Sequence, residues 1–269
     1  MAATTGSESA TPGLTAQPVP DRILATFLLR HGDDNLVTAQ RLAALVSWMP
    51  ELEEDIAIAN RCLDHLGQAR AFYQYAADLL DDGRTEDDLA MARDERDFTN
   101  AVLVEQPNGD FATTMARQFF LDAFQLPLYR ALADSPNQRL AGIAAKGAKE
   151  AQYHLRHSSA WVVRLGDGTE ESHRRMQQAV DALWPFTADL FHVDEVDGAL
   201  VAADLVPDIA GLRPAYDATV AGVLAEATIL MPDDPYQRLG GRTGFHTEHL
   251  GHLLPEMQQL YRTHPGASW

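Results

Sequence analysis

The chain has 269 residues, 46% of them apolar and 22% charged, enough to close one large core or two small ones. Its 21 basic and 39 acidic side chains leave a net charge of −18, which argues against a nucleic-acid backbone or an anionic membrane surface as the main partner and leaves room for a basic protein. A single cysteine excludes an internal disulfide framework, and no apolar run reaches the length of about 18 residues that a membrane span needs.

Met1 to Pro20 is small and polar, holds three prolines, and lacks the basic start and apolar centre of a signal peptide. It reads as a disordered tail ahead of one helical domain over 21–269. With one thiol and no such signal, a reducing cytoplasm is the expected compartment. A first long helix is predicted from about Arg22 to Met49, with Gly32-Asp33-Asp34 as a weak spot inside it. Pro50 ends it. Next comes a row in steps of three and four, Leu52, Ile56, Ala59, Leu63, Leu66, Ala69, Tyr73, Ala77 and Leu80, which is the periodicity of one helix face. Cys62 on this helix is expected to be a buried structural thiol. The short connection at Pro50 makes the two helices antiparallel.

Asp81 to Asp110 reads as an irregular charged link with one or two short helices, closed by the turn Pro107-Asn108-Gly109-Asp110. A helix follows with the row Phe111, Met115, Phe119, Asp122, Leu126 and Tyr129. Ser135-Pro136 offers a cap and a first-turn proline for the next helix, which runs to Leu165 and stops at Gly166-Asp167-Gly168. Thr169 caps a fifth helix over Glu170–Phe191. A sixth spans about Ile209 to Leu230, and a final one Thr247 to Thr263 with Pro255 able to kink it. Strand-like alternation, a nucleotide-binding glycine fingerprint and a P-loop are absent. The fold class expected is all-α: a ferritin-like four-helix bundle with additional C-terminal helices.

A working di-iron bundle takes a Glu from each of two helices and a Glu-x-x-His from each of the other two. Counted from the turns, Gln40, Asp64, Asp122 and Glu150 fall at matching depth, since each residue adds about 1.5 Å along a helix. The geometry of a site is therefore expected, but the chemistry is not. Gln40 offers a neutral amide where a bridging carboxylate is needed. Gly67 and Tyr153 stand where the histidines belong, and His154 comes one position late. Lys146, one turn before Glu150, is placed to put an ammonium where a metal would sit, balancing Asp122 or Glu150. Gln40, Asp64, Asp122, Glu150 and His154 are thus read as a degenerate, metal-free site. Asp122 sits in an apolar row, and a buried carboxylate there must have a partner.

Other polar groups are weaker candidates. Glu170-Glu171-Ser172-His173 is the one literal Glu-x-x-His, and reads as a solvated first turn with acids favoured by the helix dipole. His246, His249 and His252 recur every third residue and read as hydrogen-bonding histidines, because no Cys or Asp accompanies them at ligand spacing. Phe119-Phe120, Phe124 and Trp184-Pro185-Phe186 read as core or interface.

Several stretches together carry a resemblance. They are Pro50-Glu51-Leu52-Glu53 with Leu66-Gly67-Gln68-Ala69-Arg70, then Arg93-Asp94-Glu95-Arg96, and Leu103-Val104-Glu105-Gln106-Pro107-Asn108-Gly109-Asp110-Phe111. Further on come Lys149-Glu150-Ala151-Gln152-Tyr153-His154-Leu155-Arg156, Arg164-Leu165-Gly166-Asp167-Gly168-Thr169 and His246-Thr247-Glu248-His249-Leu250-Gly251. In these, over about 22–269, the chain resembles the family of C components of the bacterial phenylacetyl-CoA 1,2-epoxidases, the ring-oxidising oxygenase complexes. The resemblance implies a ferritin-like fold and a structural part in aerobic phenylacetate breakdown, where the complex epoxidises the aromatic ring with O₂ and reducing equivalents from NADPH. It implies that a related catalytic A component holds the di-iron centre, that a small B component and a flavin/iron–sulfur reductase complete the system, and that this chain carries no cofactor and no catalytic residue. A hetero-oligomer, with room for self-association, is then expected. A stand-alone di-iron oxygenase or oxidase and a CoA-thioester-binding bundle are the competing readings.

Overall fold

The computed structural model describes residues 19–49, 51–233 and 236–267. The tail expected over Met1–Pro20 lies outside the described residues except for Val19 and Pro20, and so does the boundary residue Pro50. The described residues form helices and loops without a strand, and no helix among them is long and apolar enough to cross a membrane. Helices α1 (Asp21–Ala43) and α2 (Leu52–Leu80) form one antiparallel pair, and α4 (Phe111–Leu132) and α5 (Gln138–Gly166) form the other; α2 packs on α5 to close the four-helix bundle. A short α3 (Glu86–Met91) lies in the link between the pairs. After them come α6 (Glu170–Leu183), α7 (Glu195–Ala202), α8 (Arg213–Glu226) and α9 (Glu248–Thr263). Of these, α6 and α8 lean on the second pair, α7 covers α1, and α9 reaches back to α3.

Several boundaries differ from the sequence expectation, each for a local reason. Helix α1 stops at Ala43, not Met49, and a turn at 44–47 with Ser47 at φ 75° leads into α2. The cap of α5 is Asn137, whose side chain accepts from Leu140 N at 3.1 Å, whereas Ser135 donates to Leu205 O at 2.6 Å. The fifth helix breaks at Leu183, because Pro185 cannot donate in the ladder, and Trp184–Phe191 continues as a tighter 3₁₀ turn. The sixth is shortened to Arg213–Glu226 behind a 3₁₀ turn at Ala210–Leu212.

The largest departure concerns α2. Its predicted apolar row faces outward over the first half: Leu52, Ile56, Leu63 and Leu66 are 70%, 53%, 63% and 40% exposed. The inward row opens on Ile58, is polar through Arg61, His65 and Gln68, and turns apolar again at Ala69, Phe72 and Tyr73. Cys62 is half-buried at the edge between the two rows; its thiol donates to Ala39 O at 3.3 Å, and burial raises its pKa.

Helix α1 is the opposite case, buried on all sides from Arg30 to Ala39. Gly32-Asp33-Asp34 is no weak spot. A Cβ on Gly32 would come within 2.7 Å of the Tyr73 ring, so glycine is what lets α2 pack this close. Asp33 and Asp34 satisfy the backbone of the irregular link after α3. Thr99 N donates to Asp33 at 2.7 Å, Ala101 N to Asp34 at 2.7 Å, and Val102 N to Asp189 at 2.9 Å. Buried loop amides need acceptors, and here carboxylates supply them. Each of the two α1 carboxylates also holds a buried arginine, Arg93 on Asp33 and Arg242 on Asp34 at 2.8 Å.

Glu105 and His246 make the next layer of that packing. His246 Nδ1 lies 2.9 Å from Glu105 and Nε2 lies 2.9 Å from the Phe98 carbonyl, while Thr247 N and Asn100 Nδ2 donate to the same carboxylate. Both ring nitrogens face acceptors, so the geometry calls for an imidazolium. Burial opposes this charge, but the Glu105 hydrogen bond and charge outweigh it and raise the His246 pKa above 6.5. The stabilisation is complete below about 6.5 and is lost as pH rises through the raised folded value. The unfolding temperature of the protein should therefore fall with rising pH more steeply than that of His246→Gln in scanning calorimetry. Parallel slopes would remove His246 from the account.

Candidate functional site

Midway along the bundle, four helices turn polar side chains inward. Helix α1 gives Asn35, α2 gives Arg61, His65 and Gln68, α4 gives Gln118, Asp122, Gln125 and Tyr129, and α5 gives His154 and Ser158, all of them buried. Asp122 has the partner its burial demands. Arg61 Nη2 bonds both of its carboxylate oxygens, and Ser158 Oγ donates at 2.6 Å. Arg61 is fixed at its other nitrogens too, with Nε on Gln118 Oε1 at 3.1 Å and Nη1 on the His154 carbonyl at 3.2 Å.

The histidines sit beside that pair. His65 Nδ1 is 2.8 Å from Asn35 Oδ1, and the Asn35 amide nitrogen donates to Tyr129 Oη at 2.8 Å and to the His31 carbonyl at 2.8 Å. Those two donations orient the amide with its oxygen toward His65, so His65 Nδ1 carries the proton. Burial, with His154 and Arg61 adding to it, holds His65 well below the ordinary histidine pKa, so its ring is neutral. His154 Nε2 meets Asp64 Oδ2 at 3.1 Å, and the two imidazole centroids are 5.1 Å apart. Gly147 keeps α5 close, because a Cβ there would come within 2.7 Å of Gln68 Nε2. The remaining space is about 10 Å³, lined by Asn35, Asp64, Glu150, His154 and their neighbours. That is room for one water at most and no organic substrate.

Asp64, Glu150 and His154 line this space, and the Asp122 carboxylate lies within 4.8 Å of a ring nitrogen of His65 and of His154. Gln40 does not join them; it lies in a surface groove with Arg41, His252 and Glu256. The count from Pro50 assumed a helix running to Met49, and the turn after Ala43 shifts the register so that Asn35 reaches the centre instead. Lys146 also departs from expectation. It is 63% exposed and pairs with Glu150 at 3.1 Å, at the rim, while Arg61 supplies the internal cation. Arg61, His65, Asn35, Gln125 and Ser158 were missed. The signal was present in the i, i+4, i+7 spacing of Arg61, His65 and Gln68, which puts three polar groups on one face. Elsewhere, Glu171 pairs with Arg174 and Arg175 at the surface, which pull its carboxyl down to about 2, and His173 bonds the Gly166 carbonyl at 2.7 Å. His252 faces the groove of Gln40, apart from His246 on Glu105.

A di-iron centre wants four carboxylates and two imidazoles around it. The groups here are carboxamides, a phenol, two imidazoles and three carboxylates, one short of that set, and each carboxylate is already engaged: Asp122 by Arg61, Asp64 by His154 and Glu150 by Lys146, so the donor set does not fit two irons.

Comparison with known proteins agrees with this architecture. The family model described as "Phenylacetic acid catabolic protein" matches residues 8–269. The chain is 51% identical over 246 residues to the C component of the 1,2-phenylacetyl-CoA epoxidase of Escherichia coli strain K12, covering 91% of this chain and 99% of that protein. With the ferritin-like arrangement of its helices and a match over nearly its whole length, the chain belongs to the phenylacetic acid catabolic protein family.

Proposed function

We propose that this chain is the structural, non-catalytic member of a cytoplasmic oxygenase complex that epoxidises the ring of phenylacetyl-CoA in aerobic phenylacetate breakdown. A related catalytic A component would hold the di-iron centre, a small B component would join the assembly, and electrons from NADPH would pass through a flavin/iron–sulfur reductase. The observation that carries this reading is the inversion of α2, with Arg61, His65 and Gln68 inside and Leu52, Ile56, Leu63 and Leu66 outside. The inward face replaces metal ligands with an ion pair and amides. The outward face is an exposed apolar row on one side of α2, of the kind that marks a protein interface, and Trp48 in the loop before it is 81% exposed. Glu51, Glu53, Asp55 and Asp64 border it, so the fitting partner surface is apolar with a basic rim.

The test is to purify the chain alone and together with the catalytic component, and to measure iron and phenylacetyl-CoA turnover in each. Iron-poor, inactive protein that restores a stable, active complex is the expected result. About two irons per isolated chain would make it a catalytic component instead. Tight binding of phenylacetyl-CoA by the isolated chain would favour a CoA-thioester-binding bundle.

A further inference from the structure

We propose that Arg61 is an internal cation standing in for a metal ion, and that His65, His154 and Asp122 form a latent divalent-cation site that becomes usable when its guanidinium is removed. The proposal adds to the structural, non-catalytic reading the residue that keeps the bundle centre from loading metal.

Three observations converge on it. Ligand atoms of the buried His65, Asp122 and His154 all lie within 4.8 Å of one another. Nitrogen and oxygen ligands about 2.0–2.2 Å from a tetrahedral zinc-like ion sit roughly 3.3–3.6 Å apart, so the set closes when the side chains move inward by about 1 Å. Second, His65 is prepared as a ligand. Its Nδ1–H is committed to the Asn35 amide oxygen, while Nε2 is buried with no hydrogen-bond partner. A ligating histidine is held in the same way, with the far nitrogen donating to an oxygen that fixes tautomer and ring plane. Asp64, bonded to His154 Nε2, orients the second imidazole.

Third, the charge that a metal would supply is already present. Arg61 takes both oxygens of Asp122, and its anchors on Gln118 and the His154 carbonyl hold the guanidinium there. A second buried guanidinium, Arg117, reinforces the positive field. It is bonded to the Gln106 carbonyl and the Asn108 side-chain oxygen. A divalent ion entering this centre would displace one cation from Asp122 in the presence of another. With Arg61 shortened, Asp122 loses its counter-charge and space opens beside His65.

The experiment uses the full chain as wild type, Arg61→Ala, Arg61→Lys and the double variant Arg61→Ala/His65→Ala. Each is equilibrated with Co²⁺, desalted, and measured for bound metal, visible absorption and unfolding temperature. Wild type and Arg61→Lys should retain no stoichiometric cobalt. Arg61→Ala should saturate at one equivalent, show the absorption of histidine-ligated cobalt, and regain on metal addition part of the unfolding temperature lost with the guanidinium. The double variant should lose both the absorption and the rescue. A folded Arg61→Ala protein that binds no cobalt, or a wild type that binds as much, overturns the proposal. If Arg61→Ala does not fold alone, refolding with Co²⁺ but not with Mg²⁺ supports it, and failure with both overturns it. These outcomes are separate from the role proposed in the complex, which stands or falls on iron and turnover there.

Discussion

Replacing Asp33 by alanine should destabilise the protein by roughly 3–5 kcal/mol, the range found when one partner of a buried ion pair is removed. The reason is the number of donors that converge on Asp33. Its carboxylate accepts from Arg93, from Tyr73 Oη at 2.6 Å, and from Thr99 N and Oγ at 2.7 and 3.0 Å, with no side-chain exposure of its own. Alanine takes the paired carboxylate from Arg93, which keeps the Leu89 and Asp97 carbonyls, and removes the acceptor of the Tyr73 phenol, the Thr99 hydroxyl and the Thr99 amide. The faces of Phe98 and Tyr73, 4.2 and 5.5 Å from the Arg93 guanidinium, soften the loss without replacing the charge. In a chain of this size the unfolding temperature should fall by roughly 10 °C. Asp33→Asn, which keeps an acceptor oxygen but no charge, should fall between the two. A variant within about 1 kcal/mol of wild type would show that the link after α3 holds its shape without Asp33.

The double variant Ile56→Glu/Leu63→Glu should fold normally yet lose its partner. Both side chains are more than half exposed, so the cost to the isolated chain should stay within roughly 0.5 kcal/mol per site. In the complex the same positions would bury two carboxylates in an apolar contact, and hot-spot losses of roughly 2–4 kcal/mol weaken association on the order of a hundredfold. Titration calorimetry against the catalytic component, with thermal unfolding of the chain alone, separates the two effects. Leu260→Glu on α9, equally exposed at 55%, is the control. Unchanged affinity in the double variant would move the interface elsewhere.

The bundle was legible because its punctuation is strong. The turn at Pro107–Asp110 opens α4 and Gly166-Asp167-Gly168 closes α5, for reasons that neighbours do not alter. The inward face of α2 was not legible in the same way. An apolar row shows which side of a helix avoids water, but not whether its cover comes from the same chain. Reading that row as core placed Leu63 inside and left Arg61 and His65 unexamined. The two errors share a cause, since the polar row is the complement of the apolar one. Asp122 was recognisable because a lone carboxylate in the row Met115, Phe119, Leu126 requires a partner. Its partner lies 61 residues away on α2, a pairing that no local spacing announces. Gln40 failed for a geometric reason: α1 ends at Ala43, six residues before its expected end at Met49.

The enclosure of α1 also sets the order in which the molecule can be completed. Asp34 finds Arg242 across 208 residues of sequence, and Asp33 finds Arg93 across 60. Helix α1 therefore cannot reach its final environment until the segment carrying Arg242 exists. Until then, the Asp34 carboxylate must remain hydrated or transiently covered. Contacts of such long range slow folding and extend the time during which unfinished surfaces are open to other chains. On this account the Asp34–Arg242 pair closes late, and C-terminal truncations that remove Arg242 should yield an aggregation-prone chain rather than a smaller domain.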